Sequence, residues 1–143
     1  MSIADENVPV EIRLPDALEI TADLPAALRG RDLVLFVAPA QSTRALCAAA
    51  APHLEARADL VLASKGLEQE TGLRMTEVLG ETLPGRAAGA AVLSGPSFAA
   101  EVAHGDPTAV VVASADPAAA RRVQGALSGR NLRLYTNADP TGV

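Results

Sequence analysis

Short apolar runs alternate along this chain with longer segments in which apolar residues return about once per helical turn. LVLFVA, Leu33 to Ala38, is continuous and rich in valine and leucine. That is the pattern of a parallel strand buried on both faces. Pro39 stops it. LVLAS (Leu60 to Ser64), AAVLS (Ala90 to Ser94) and TAVVVAS (Thr108 to Ser114) read the same way, and Asn131 to Tyr135 makes a last strand. LEIT, Leu18 to Thr21, is expected as a short edge strand.

Helices are expected in between. The alanine-rich stretch Ser42 to Leu54 places Leu46, Ala50 and Leu54 about one turn apart, with Ser42 or Thr43 as its N-cap. Leu73 to Leu83 is a helix with Leu73, Val78 and Leu79 inward, ended by Pro84 and Gly85. GPSFAAEVAHG reads as a turn and a short helix, with Ser97 as N-cap and Gly105 as C-terminal cap. Asp116 and Pro117 open a helix that runs to about Gly129. Strand and helix alternate with short connections, so the expected class is α/β: a parallel sheet covered by helices.

Composition narrows the function classes. The chain has 143 residues, half of them apolar, and a net charge of -5. One core-bearing domain fits that length. The acidic balance argues against nucleic acid or an anionic membrane as main partner. With a single cysteine, Cys47, no intrachain disulfide can form. No apolar segment is long enough to span a bilayer, and MSIADENVPVEIRLP is polar, without a hydrophobic signal region. The cytoplasm is the expected compartment. Two per cent aromatic residues leave little for stacking on bases or sugars.

Candidate chemistry sits where strands stop. Ligands of open parallel sheets bind beyond the carboxyl ends of the strands. Lys65, the only lysine in the sequence, follows the strand ending in Ser64. It can carry a positive charge to a bound anion, and Gly66 allows a sharp turn or a close approach. The same residues also fit a surface lysine and a turn glycine. SGPSFA, Ser94 to Ala99, is a second such corner: the N–H groups at a helix start suit a phosphate, or the segment is a structural turn with a capping serine. Both corners are expected at one edge of one sheet. The glycine-rich turn G-x-G-x-x-G of dinucleotide-binding sheets does not occur, since Gly85 and Gly89 have the wrong spacing and precede a strand.

Several stretches together resemble the bacterial NAD(P)-dependent glycerol-3-phosphate dehydrogenase family. They are IRLPDALEITADL (Ile12 to Leu24), DLVLFVAPAQ (Asp32 to Gln41), SKGLEQETG (Ser64 to Gly72), LSGPSFAAEVAHGDPTAVVVAS (Leu93 to Ser114) and LYTNADPTGV (Leu134 to Val143). The resemblance implies a Rossmann-like domain and hydride transfer between NAD(P)H and dihydroxyacetone phosphate or sn-glycerol 3-phosphate, in support of phospholipid synthesis. It implies cofactor contacts at Lys65, Ala99 and Pro39, and substrate contacts at Lys65, Gly95 and Ser97. Lys65 would act by electrostatic positioning, not proton transfer. The family's general-base lysine has no counterpart here, and no catalytic residue or metal ligand is assigned. Residues 1–143 are thus expected to be a partial NAD(P)-binding Rossmann-like domain lacking the first βα unit and the helical substrate domain. Nothing selects NADH over NADPH.

Alternatives stay open at this stage. One is a non-enzymatic remnant or interaction module whose unpaired sheet edge supports self-association. Another is a different reductase of the hydroxyacid dehydrogenase type. The remaining polar residues have plainer readings. His53 and His104 are expected at helix ends or the surface, and Cys47 in the core. Glu68, Glu70 and Glu77 are expected as solvated carboxylates, Arg121 and Arg122 facing solvent, and Tyr135 as a packing residue with a wet hydroxyl.

Overall fold

A computed structural model describes residues 15–143. The polar stretch before them, with the first residues of the Ile12 to Leu24 match, lies outside the described residues. Five strands form one sheet in the order β1 (Leu33–Phe36), β2 (Asp59–Leu62), β3 (Ala91–Ser94), β4 (Thr108–Ala113) and β5 (Leu132–Asn137). The helices are α1 (Leu24–Leu28), α2 (Ala40–Ala50), α3 (Met75–Thr82), α4 (Ala99–His104) and α5 (Pro117–Leu127).

β2 shows why the apolar runs read as buried strands. Leu60 and Leu62 pack with α2 and α3 on one face, against Cys47, Ala50, Val78 and Leu79. Val61, pointing the other way, packs with Val110, Val112 and Val123 under α5. Every position of such a strand meets a core, so none needs to be polar. α5 opens as its sequence specifies: Asp116 accepts from the Ala118 amide at 2.8 Å, and Pro117 occupies the first turn. Gly105 closes α4 in the left-handed conformation, as expected.

One pairing departs from the all-parallel expectation. β1–β2, β2–β3 and β4–β5 are parallel, but β3–β4 is antiparallel, with Leu93 opposite Val112. A parallel crossover needs a helix that covers the sheet. α4 has no buried residue and cannot do so. The chain therefore turns back at the same end of the sheet.

Other local expectations need correction. Leu18 to Thr21 is irregular and exposed, Ile20 at 80%, with no strand among the described residues paired to it. α2 begins at Ala40 with Pro39 in the capping position, so neither Ser42 nor Thr43 is the cap. Thr43 is instead fully buried on the inner face of α2. α4 begins two residues after Ser97, with Phe98 as N-cap. Tyr135 does not end β5, which runs on to Asn137, and it is half exposed. Cys47 lies in the core, where burial pushes its thiol pKa up.

Candidate functional site

β2 and β3 are parallel, so their carboxyl ends open side by side. Between them lies a cleft of about 280 Å³, lined by Ser64, Lys65, Gly66, Ser94, Arg74 and Thr141, among others. The two corners singled out in the sequence meet at its rim. Lys65 Nζ donates to the Gly95 carbonyl oxygen at 3.1 Å. Ser97 Oγ makes a long 3.5 Å contact to the same oxygen. Of the other expected positions, Ala99 is exposed at the start of α4 and Pro39 is exposed at the start of α2; neither lines the cleft.

The Gly95 backbone has φ +150°. A Cβ built there would stand 3.0 Å from Val110 Cα and 3.3 Å from the Ala109 carbonyl oxygen. β3 and β4 approach so closely at this point that only glycine fits. That contact sets the carbonyl which receives Lys65.

The other wall is a loop fastened to α2. Gln41 Nε2 donates to the Leu67 carbonyl at 2.9 Å, and the Gln69 amide donates back to Gln41 Oε1 at 2.9 Å. One turn on, Arg44 forks onto Glu68 through Nε and Nη2, both at 2.8 Å, and reaches Glu81 of α3 with Nη1 at 2.8 Å. Thr71 donates to Glu68 at 2.6 Å. Glu68 is accordingly buried, not solvated. The Arg44 hydrogen bonds, then that of Thr71, hold its pKa down at about 2, and its carboxylate with that of Glu81 raises Arg44. Glu77 is likewise engaged: it caps α3 together with Arg74, whose side chain and backbone N–H lower it to about 2. Arg122 is exposed but pairs with Asp59 at 2.7 Å, far along β2 from the cleft.

The cleft is closed on one side by the segment after β5. Arg74 Nη1 donates to Thr141 Oγ1 at 2.9 Å, and Asp139 Oδ1 accepts from the amides of Thr141 and Gly142. Sequence reading missed Arg74, Gln41, Arg44 and this segment as parts of the site. A usable signal was present for two of them: Gln41 and Arg44 are polar residues three apart in the helix that follows the first buried strand.

Chemically, the rim offers one exposed ammonium with a hydrogen bond to Gly95 and its other protons free to meet a ligand, beside a cleft the size of a small molecule. Among the described residues, no cluster of His, Cys, Asp or Glu could hold a metal. No helix among them is long and apolar enough to cross a membrane.

A sheet covered on both faces, with its cation at the strands' carboxyl edge, places the molecule among the Rossmann-like nucleotide-binding folds. Residues 4–120 match the family model described as NAD-dependent glycerol-3-phosphate dehydrogenase N-terminus. The chain belongs to that family. It is 47% identical over 132 residues to glycerol-3-phosphate dehydrogenase [NAD(P)+] of Sinorhizobium fredii, covering 92% of this chain and 39% of the relative. The enzyme of that name from Enterococcus faecalis is 42% identical over 134 residues, covering 93% and 39%. The solved glycerol-3-phosphate dehydrogenase of Coxiella burnetii superposes with a TM-score of 0.81 at 30% identity, covering 90% of this chain and 39% of that one. The chain thus spans about two fifths of the length of these relatives.

Proposed function

We propose that this chain forms the nucleotide-side part of a glycerol-3-phosphate dehydrogenase acting in the cytoplasm, with Lys65 as the cation at the reacting end. The observation that carries this is the Lys65–Gly95 contact of 3.1 Å at the carboxyl edge of β2 and β3. In this reading Lys65, Gly95 and Ser97 face the phosphorylated three-carbon substrate, and Lys65, Ala99 and Pro39 face NAD(P)H. A cleft of about 280 Å³ suits the substrate or the nicotinamide end of a dinucleotide, not a whole dinucleotide. The donor set fits as well: an ammonium and a serine hydroxyl suit phosphate or carboxamide oxygens. When bound, the nicotinamide supplies the hydride.

The chain's own part is electrostatic. Lys65 holds a fixed positive charge where the substrate's oxygen gains negative charge, and the glycine corner orients it. It is the only lysine in these residues, so it cannot also serve as a separate proton-transfer lysine. On their own, the 143 residues are expected to give no sustained oxidation of NADPH at 340 nm with dihydroxyacetone phosphate. The binding reading is tested by labelling lysine with ¹³C at Cε and ¹⁵N at Nζ; with one lysine in the sequence, the Cε–Nζ pair gives a single correlation, the Lys65 signal. Millimolar sn-glycerol 3-phosphate or NADPH should shift that signal. An unmoved Lys65 signal with both ligands overturns the assignment.

A second reading is favoured by the edge strand. Among the described residues β1 pairs only with β2, and Leu35 within it and Val37 just after it are exposed. Such an edge supports self-association through strand pairing. Size-exclusion chromatography across a concentration series tests this; a monomer at every concentration counts against it.

A further inference from the structure

Lys65 is a flexible side chain on an exposed loop, yet its ammonium reaches one particular carbonyl. Three sets of contacts explain why its backbone cannot wander. Before it, Ser64 Oγ donates to the Ala38 carbonyl at 2.6 Å, joining the ends of β2 and β1. After it, the Gln41 amide grips Leu67 and Gln69 at once, one atom as donor and the other as acceptor. Then Arg44 spans Glu68 and Glu81, tying the same loop to both α2 and α3. Glu68 also closes the loop internally, its amide donating to the Leu73 carbonyl and its carbonyl accepting from Gly72. The residues that follow Lys65 are thus registered against one face of α2. α2 is itself seated in the core by Thr43, Cys47 and Ala50.

We propose that Gln41 and Arg44 are positioning residues for the Lys65 site: α2 acts through them as the ruler that sets where the Lys65 ammonium stands relative to Gly95. Neither lines the cleft. Removing the Gln41 amide frees Leu67 O and Gln69 N together, because both bonds pass through one side chain. Removing the Arg44 fork leaves the buried Glu68 carboxylate with Thr71 alone and releases the loop from α3 as well. Either change lets Lys65 and Gly66 slide by more than a hydrogen bond tolerates.

This inference deepens the Lys65 reading above, and its test needs no ligand. The lone labelled lysine is recorded in the unliganded chain for wild type, Gln41→Ala and Arg44→Ala, with Arg122→Ala as control. Arg122→Ala removes a bidentate pair between an exposed Arg122 and a half-buried Asp59 at the far end of β2. The expected result is that Gln41→Ala and Arg44→Ala each move the Lys65 signal toward its position in the urea-unfolded chain, while circular dichroism stays native and Arg122→Ala leaves the signal in place. Gln41→Glu keeps the acceptor for Gln69 but loses the donor to Leu67, so its signal should fall in between; Arg44→Lys should likewise fall between wild type and Arg44→Ala. These two carry the test if an alanine variant does not fold. A wild-type Lys65 signal in the folded Gln41 and Arg44 variants overturns the proposal. So does a displacement of equal size in Arg122→Ala, since that would be a general loss of stability. A Lys65 signal that is displaced as expected, in a chain that binds no substrate or cofactor, would refute the functional reading and leave the positioning intact.

Discussion

Replacing Gly95 by alanine tests whether the close approach of β3 and β4 builds the rim. The new Cβ would meet Val110 Cα at 3.0 Å, Val110 Cγ1 at 3.2 Å and the Ala109 carbonyl oxygen at 3.3 Å. Two of these three atoms are backbone of a strand held on both sides, by β3 and β5, so they cannot rotate away. The backbone at φ +150° adds strain for any residue with a Cβ. That strain costs about 1–3 kcal/mol, and overpacking of a tight contact costs a further ~1–3 kcal/mol. Together they come to roughly 4 kcal/mol, a large share of a domain's net stability, and lower Tm by about 13 °C for a chain of this size. Thermal melts followed by circular dichroism read this directly. Gly125→Ala is the internal control: it lies in α5 with nothing near its Cβ, and should stabilise by ~0.5–1 kcal/mol. Because the strand end must shift, Gly95→Ala should also displace the Lys65 side-chain signal. A Gly95→Ala chain melting within about 2 °C of wild type would refute the argument, because the contact would then be too soft to set the rim.

Three further outcomes follow from the packing and the charges. Leu79, fully buried on α3 in the cluster shared with α2 and β2, should cost about 3 kcal/mol as Leu79→Ala, whereas half-exposed Leu67→Ala should stay within ~0.5 kcal/mol; equal losses in urea melts would contradict the core assignment. Asp116→Ala removes the α5 cap and should cost about 1 kcal/mol, with an unchanged urea midpoint counting against it. Glu68 and Glu77 have pKa values lowered from 4.5 to about 2 by Arg44 and Arg74, so their contribution is full above pH 4.5 and is lost as pH falls from there toward 2. Melting temperature should therefore drop across that window, less steeply in Arg44→Ala; identical pH slopes in the two chains would contradict the Arg44–Glu68 linkage.

What could be read from the sequence follows from where each signal is stored. β2 was legible because burial on both faces leaves an unbroken apolar run, and α5 because Asp116 and Pro117 mark its start chemically. Leu18 to Thr21 failed for the opposite reason: strand propensity is local, but a strand needs a neighbour, and none among the described residues pairs there. α1 escaped notice because five residues give no periodicity, although Asp23 caps it at 3.1 Å from the Ala26 amide and Pro25 sits in its first turn. The direction of β4 was not legible from the apolar run itself. It depended on α4, whose lack of a buried face decides that the chain returns without crossing the sheet. The Lys65–Gly95 pairing was legible as a coincidence of two strand ends. The clamp behind it was legible only as two polar residues three apart on α2; their partners, some 24 to 37 residues away, were not.

The two walls of the cleft draw on different parts of the core. Lys65 inherits its place from β2 and, through Gln41 and Arg44, from α2 and α3, all of which share the cluster around Leu79. Gly95 inherits its place from the approach of β3 to β4, whose Val110 and Val112 belong to the cluster under α5. The ammonium-to-carbonyl contact at 3.1 Å therefore joins a wall set mainly from one face of the sheet to a corner set mainly from the other, with β2 serving both through Leu60 and Leu62 on one side and Val61 on the other. Exposed residues placed by rigid elements can be exchanged without disturbing either core. This is why changes at Lys65 should alter recognition with little loss of stability, while a change at Gly95 should alter both together.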